Sequence, residues 1–161
     1  MILNDRFAEY LNQLYCAKSH IIERLSDLLE HPEFNDIEGL LQSLFINSEK
    51  CASILESVYL QMGLDYSFTQ CKELINLANA LFDAILKAKA KIFERNLALL
   101  YYINFIKSIE GAALKNLELV IAKSADDEII HLLTIQLSAN QDDDLLVKLY
   151  NKISLYPKAA N

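Results

Sequence analysis

Apolar residues recur at alternating spacings of three and four along most of this chain, the period at which one face of an α-helix returns. Phe7, Leu11, Leu14, Ile21, Leu25 and Leu28 mark a first helix over about 3–31, which Pro32 stops. Asn35 with Glu38 three residues on reads as a capping box for a second helix, and Leu41, Leu44, Leu55 and Val58 carry its stripe to Gly63, a C-terminal glycine. Two long helices joined by so tight a turn must be antiparallel neighbours. Over 64–93 the pattern weakens to a short loop, Thr69 as an N-cap, and a helix through Leu74, Leu77 and Leu81. A third main helix is predicted over about 94–123 on Leu99, Ile103, Ile106, Ala113, Leu117 and Val120. The fourth begins after Ser124 and Ala125, with Asp126, Asp127 and Glu128 crowding its positive end, and stops before Pro157.

Two hairpins with one long middle connection predict an all-α, ferritin-like four-helix bundle whose crossover carries an extra helix; short loops throughout would have meant simple up-down topology. Each seam turns polar at its centre. In the first helix the walk from Leu14 to Ile21 passes Lys18, and in the second the walk from Leu44 to Cys51 passes Asn47 or Ser48. In the third helix the step from Ile106 to Ala113 lands on Glu110, and the fourth meets Asn140 and then Asp143 or Asp144. Core polar groups are costly unless paired, so Lys18, Asn47, Glu110 and Asn140 are expected to share one buried polar cluster, with Lys18 and Glu110 as its ion pair. Lys107, one turn from Glu110, is the rival partner.

In di-iron bundles this depth is where two helices each supply a Glu and the other two each supply a Glu-x-x-His pair. The chemistry here differs, because a protonated Lys18 cannot ligate and Asn47 is a poor ligand. Glu110 and Asp144 remain as weak candidates. The one Glu-x-x-His is Glu128 to His131, which lies about ten residues, or roughly 15 Å, from the midpoint of the fourth helix and reads as a solvated first turn. His20 and His31 read as ordinary surface or helix-end residues. The acid run Asp142 to Asp144 reads as a solvated face with one member turned inward.

Composition narrows the classes. With 161 residues, 53% hydrophobic, and only 3 Gly and 2 Pro, the chain suits one domain of long helices spanning 1–161 rather than a many-stranded sandwich. A net charge of -7 and a pI near 4.9 argue against nucleic acid and anionic membrane surfaces as partners. The N-terminus shows no basic stretch, apolar h-region or cleavage site, so a cytoplasmic location is expected. The longest apolar stretch, 97–106, includes Asn104 and is short of the ~20 residues that cross a bilayer. Cys16, Cys51 and Cys71, odd in number and widely spaced, suggest neither a disulfide framework nor a zinc site; reduced thiols acting as small buried hydrophobes are expected, all within helices. No glycine-rich phosphate loop, nucleophile elbow or convergent acid pair is present.

Several short segments, in order, resemble the YciF-like subfamily of ferritin-like proteins across nearly the whole chain. They are Leu14-Tyr15-Cys16-Ala17; Leu55-Glu56-Ser57-Val58-Tyr59 with Gly63; Cys71 heading the crossover helix; Glu110-Gly111-Ala112-Ala113; and Leu132-Leu133 with Leu137. Where that family has a Glu after its first segment, this chain has Lys18. Its acidic positions in the second helix are Asn47 and Cys51 here, its early Glu of the third helix is Lys107, and its acidic pair of the fourth is Ala139 and Asn140, with Asp144 retained. The resemblance implies the fold, a homodimer and a link to stress physiology. The replacements lead to the expectation of a non-catalytic scaffold or interaction protein without a cofactor. The alternatives are a di-iron or manganese protein with an atypical site, and a small-ligand binder. Residues 97–106 are apolar almost all round, more than one core-facing stripe requires, and a homodimer using this face and the crossover is expected.

Overall fold

The structure is a computed structural model describing residues 2–123, 127–139 and 143–155, with side chains at 5–123, 127–135 and 144–155. Among these residues it is all-helical, with α1 Ile2–Leu29, α2 Glu38–Met62, α3 Lys72–Lys87, α4 Ile92–Ile121, α5 Asp127–Ala139 and α6 Asp143–Ser154. Central α1 packs against α2 on one side and α4 on the other, α3 lies across α4 and α1, α5 rests on α2, and α6 rests on α4 and α2.

The turn between α1 and α2 is not the capping box its sequence suggests. Pro32 starts a 3-10 helix, Pro32–Ile37, that holds Asn35, and α2 begins only at Glu38 with Ile37 as a cap lacking a side-chain hydrogen bond. The reason is packing: Phe34 and Ile37 both turn into the core from this tight turn. Gly63 does end α2 in the left-handed region at φ 59 and ψ 36, where a Cβ would be strained. The crossover also opens differently. Thr69 begins a 3-10 turn, Thr69–Cys71, and Cys71 stands at the cap of α3, so this cysteine lies outside the α-helices. On α3 the buried face is Ala78, Phe82 and Ile85, whereas Leu77 points outward at 51% exposure.

Two helices stand where one fourth helix is predicted. Each seals its own half of the core. Ile129 and Leu133 of α5 join Phe7, Leu11, Leu14, Leu55, Val58 and Leu117 in one apolar cluster. Leu149 and Ile153 of α6 join Ile21, Leu25, Leu41, Leu44, Phe82 and Ile106 in the other. Asp144 falls in the first turn of α6, where the helix dipole favours a carboxylate, while Asp142 of the acid run lies outside the described residues. Ser124, Ala125, Asp126, Asn140 and Pro157 lie outside the described residues. Each fully buried Leu, Ile or Phe stabilises by about 1.5–3 kcal/mol, so both clusters hold the same pair of central helices.

By length and apolarity α4 would suffice to cross a bilayer, beyond the shorter stretch read from the sequence. It nevertheless buries Arg95, Asn96 and Glu110 along with its apolar face, and the two charged side chains among them meet opposite charges on neighbouring elements.

A charged layer between two apolar clusters

The apolar clusters are separated by a polar layer, which the helical period places there. On α1, Leu14 belongs to one cluster and Ile21 to the other, with Lys18 on the same face between them. On α4, Glu110 lies between Ile106 and Ala113, and on α2, Ser48 and Cys51 lie between Leu44 and Leu55. Lys18 Nζ stands 2.9 Å from Glu110 Oε1, with the two side chains 1% and 0% exposed. Lys107 Nζ reaches the other oxygen at 3.5 Å, and its side chain is 14% exposed, so it is not the surface residue of the rival pairing. Both lysines hold the carboxylate. Among the described residues neither oxygen of Glu110 receives a well-aligned hydrogen bond, and the buried Ser48 hydroxyl is also unpartnered.

Magnitudes decide what such a layer contributes. At an effective dielectric near 20 an ion pair at 4 Å gains about 4 kcal/mol, while removing each charge from water costs several kcal/mol. The pair therefore contributes little net stability, yet loss of one partner would strand the other. With exposures of 0–1%, neither group can touch a substrate from solvent.

Beside this layer the structure corrects the reading of His20 as a surface residue. His20 is 5% exposed, its Nδ1 2.8 Å from the Tyr102 hydroxyl and its Nε2 2.8 Å from Asn79 Oδ1. Arg24 donates to the same Oδ1 at 3.1 Å, so that oxygen acts as acceptor, Nε2 carries the proton, and Tyr102 donates to Nδ1. Burial, outweighing the Asn79 bond that favours the charged ring, lowers the His20 pKa and keeps the imidazole neutral. Burial also pushes the Tyr102 hydroxyl well above the usual phenol range. His31, at the cap of the 3-10 turn and 41% exposed, fits its sequence reading.

The remaining candidates are scattered. Asn47 is half-buried, while its neighbour Ser48 is the one turned into the core. Asp144, Glu128 and His131 are exposed, and Gln61 of α2 donates to Glu128 at 2.8 Å. Glu110 is the one buried carboxylate among the described residues, it faces two ammonium groups, and the buried imidazole is already held by Tyr102 and Asn79. That donor set does not fit a di-iron centre, which requires several carboxylates converging with free histidine nitrogens. No group of three or more His, Cys, Asp or Glu able to hold a metal occurs among the described residues.

Two buried polar anchors escape the periodicity argument. Arg95, 1% exposed, donates through one nitrogen to both oxygens of Asp36 at 2.9 Å, through two nitrogens to Asn96 Oδ1, and to the Glu33 carbonyl, while its guanidinium lies 4.9 Å from the Phe34 ring centroid. Asn12, 4% exposed, receives the Ser67 backbone N–H at 2.8 Å and donates back to the Ser67 carbonyl at 2.8 Å. The only advance signal for either was a polar residue at a core-facing position of a long helix.

Fold and site together define an all-α protein with a charged layer through its core. No protein-family model, curated protein or solved structure matches the chain.

Proposed function

We propose that this chain is a ferritin-like bundle of the YciF-like kind that works without a bound metal, as a non-catalytic scaffold or interaction protein of the cytoplasm with a link to stress physiology. The observation that carries the reading is the Lys18 ammonium 2.9 Å from Glu110 in the middle layer. An ammonium there supplies a positive charge and three donors at the depth where a di-iron bundle uses metal cations, so the carboxylate is neutralised by the chain itself. Metal analysis of protein purified after expression in iron- and manganese-supplemented medium tests it. Less than about a tenth of an equivalent of transition metal is expected; near-stoichiometric metal would overturn the reading, since a competent carboxylate site should fill.

The scaffold reading includes a second copy of the chain. Although α3 covers part of α4, Phe93, Leu97 and Tyr101 remain 47%, 49% and 65% exposed at successive turns of α4, an apolar stripe suited to an isologous contact. Light scattering at tens of micromolar (~10⁻⁵ M, tighter than the weak end of specific association) should give twice the 18.3 kDa chain mass. A monomeric mass removes the homodimer.

A further inference from the structure

Cys16 and Cys71 meet where the crossover docks on α1. They are 1% and 5% exposed, and the 3-10 turn that ends in Cys71 packs directly on α1. Asn12, one turn before Cys16, organises the contact. Its Nδ2 lies 3.3 Å from Cys71 Sγ and 2.8 Å from the Ser67 carbonyl, its own carbonyl lies 3.7 Å from Cys71 Sγ, and Cys16 Sγ lies 3.9 Å from that same Ser67 oxygen. Both sulfurs are thus gathered around the hydrogen-bonded contact between Asn12 and Ser67, Cys71 at the amide and Cys16 at the carbonyl.

The pair is asymmetric. The neighbouring Cys16 thiol holds the Cys71 thiol below its usual range against the opposing effect of burial, with the Asn12 amide assisting; the proximity of Cys71, reinforced by burial, pushes Cys16 far up. Cys71 also caps the 16-residue α3, whose N-terminal end favours negative charge. Of the two, Cys71 is therefore the sulfur whose surroundings favour loss of its proton, and Cys16 the one that keeps it. Tyr59, whose hydroxyl is 3.5 Å from Asn12 Oδ1, is raised mainly by burial and stays a neutral phenol beside them.

We propose that Cys71 and Cys16 form a dithiol site that hydroperoxides convert to a disulfide, Cys71 attacking and Cys16 resolving. The Cys71 sulfur attacks the outer peroxide oxygen, an S–O bond forms, the O–O bond breaks, and the proton Cys71 gave up goes to the departing oxygen as alcohol or water. The Cys16 sulfur then attacks the sulfenic sulfur, the S–S bond forms, and hydroxide leaves with the Cys16 proton as a second water. Two thiols are oxidised by two electrons and one peroxide is reduced. The product would tie α1 covalently to the start of α3, fixing the loop at 64–68 that Asn12 now holds only by hydrogen bonds.

The wild-type chain tests this, with Cys51, 1% exposed on α2, as internal comparison. The protein is treated with hydrogen peroxide, quenched, denatured, alkylated and measured by intact and peptide mass spectrometry. Expected are loss of two alkylatable thiols, loss of two hydrogens in mass, and a peptide joining Cys16 to Cys71, forming at least about tenfold faster than any oxidation of Cys51 and faster than in the urea-unfolded chain. Cys16→Ser should leave a sulfenic acid on Cys71 that a 1,3-diketone traps. Three thiols still alkylatable, a linkage involving Cys51 or a second chain, or equal rates in folded and unfolded protein would overturn the proposal. Those readouts do not depend on any variant folding, nor on the metal-free reading of the central layer.

Discussion

Arg95 and Lys18 are both buried cations that meet a carboxylate, but they are satisfied very differently. Arg95 spreads its three nitrogens over Asp36, Asn96 and a backbone carbonyl and stacks on Phe34, and its acidic partner is 38% exposed, so one charge of the pair keeps its water. Lys152 adds a hydrogen bond from α6 to the Asp36 carbonyl, joining three elements at this end of the bundle. Lys18 and Glu110 instead take both charges out of water, and the carboxylate is held by charge rather than by aligned hydrogen bonds. A planar guanidinium can satisfy several chain ends at once, which makes Arg95 a fastener. A buried ammonium with one carboxylate is close to break-even, so the pair adds little net stability while each charge depends on the other.

The sharpest way to break that contrast is to strand one member of the central pair. Glu110→Gln would leave two lysines facing a neutral amide and should destabilise by about 3 to 5 kcal/mol, whereas Lys18→Met leaves Lys107 on Glu110 and should cost about 2 to 3. Lys18→Met combined with Glu110→Gln should recover much of the loss, with coupling above about 1.5 kcal/mol in urea denaturation. Coupling below about 0.5 would mean that the layer is not an ion pair in energetic terms.

At the other cation the order of effects should reverse. Arg95→Lys keeps the charge but loses the fork and the stacking, and is expected to cost about 2 to 3 kcal/mol by the same assay. Asp36→Asn, at a partner more than a third exposed, should cost no more than about 1. If Arg95→Lys were neutral, charge rather than donor geometry would be the fastener.

The smallest expected effect is a pH dependence beside the layer. His20 has a pKa below its unfolded value of 6.5, so the unfolded chain takes up a proton first as pH falls. Its contribution is present above pH 6.5 and is lost progressively below it. Stability measured from pH 7.5 to 5.5 should decline for the wild type and flatten for His20→Gln. An identical slope in the variant would assign the decline to other groups.

The all-α class was legible in the sequence because helical periodicity is a local property. Leu11, Leu14, Ile21 and Leu25, or Leu99, Ile103 and Ile106, are buried where the three-and-four spacing puts them, and the same walk brought Lys18 and Glu110 to one depth. Local capping signals were less reliable: the glycine at 63 ended its helix because φ near 59 is a backbone requirement, while Asn35 lost its cap to the burial of Phe34 and Ile37. Nothing local could place His20 against Tyr102, 82 residues away, or Asn12 on Ser67 and Cys71, 55 and 59 residues away. Those contacts exist only once α3 and its leading loop dock on α1, and docking is a sum of many weak apolar contacts with no single-residue signature. The sequence determined which face of α1, α2 and α4 is buried, though not that of α3; the tertiary structure alone decided which buried polar groups meet, because a hydrogen bond depends on distances of a few tenths of an ångström that periodicity does not carry.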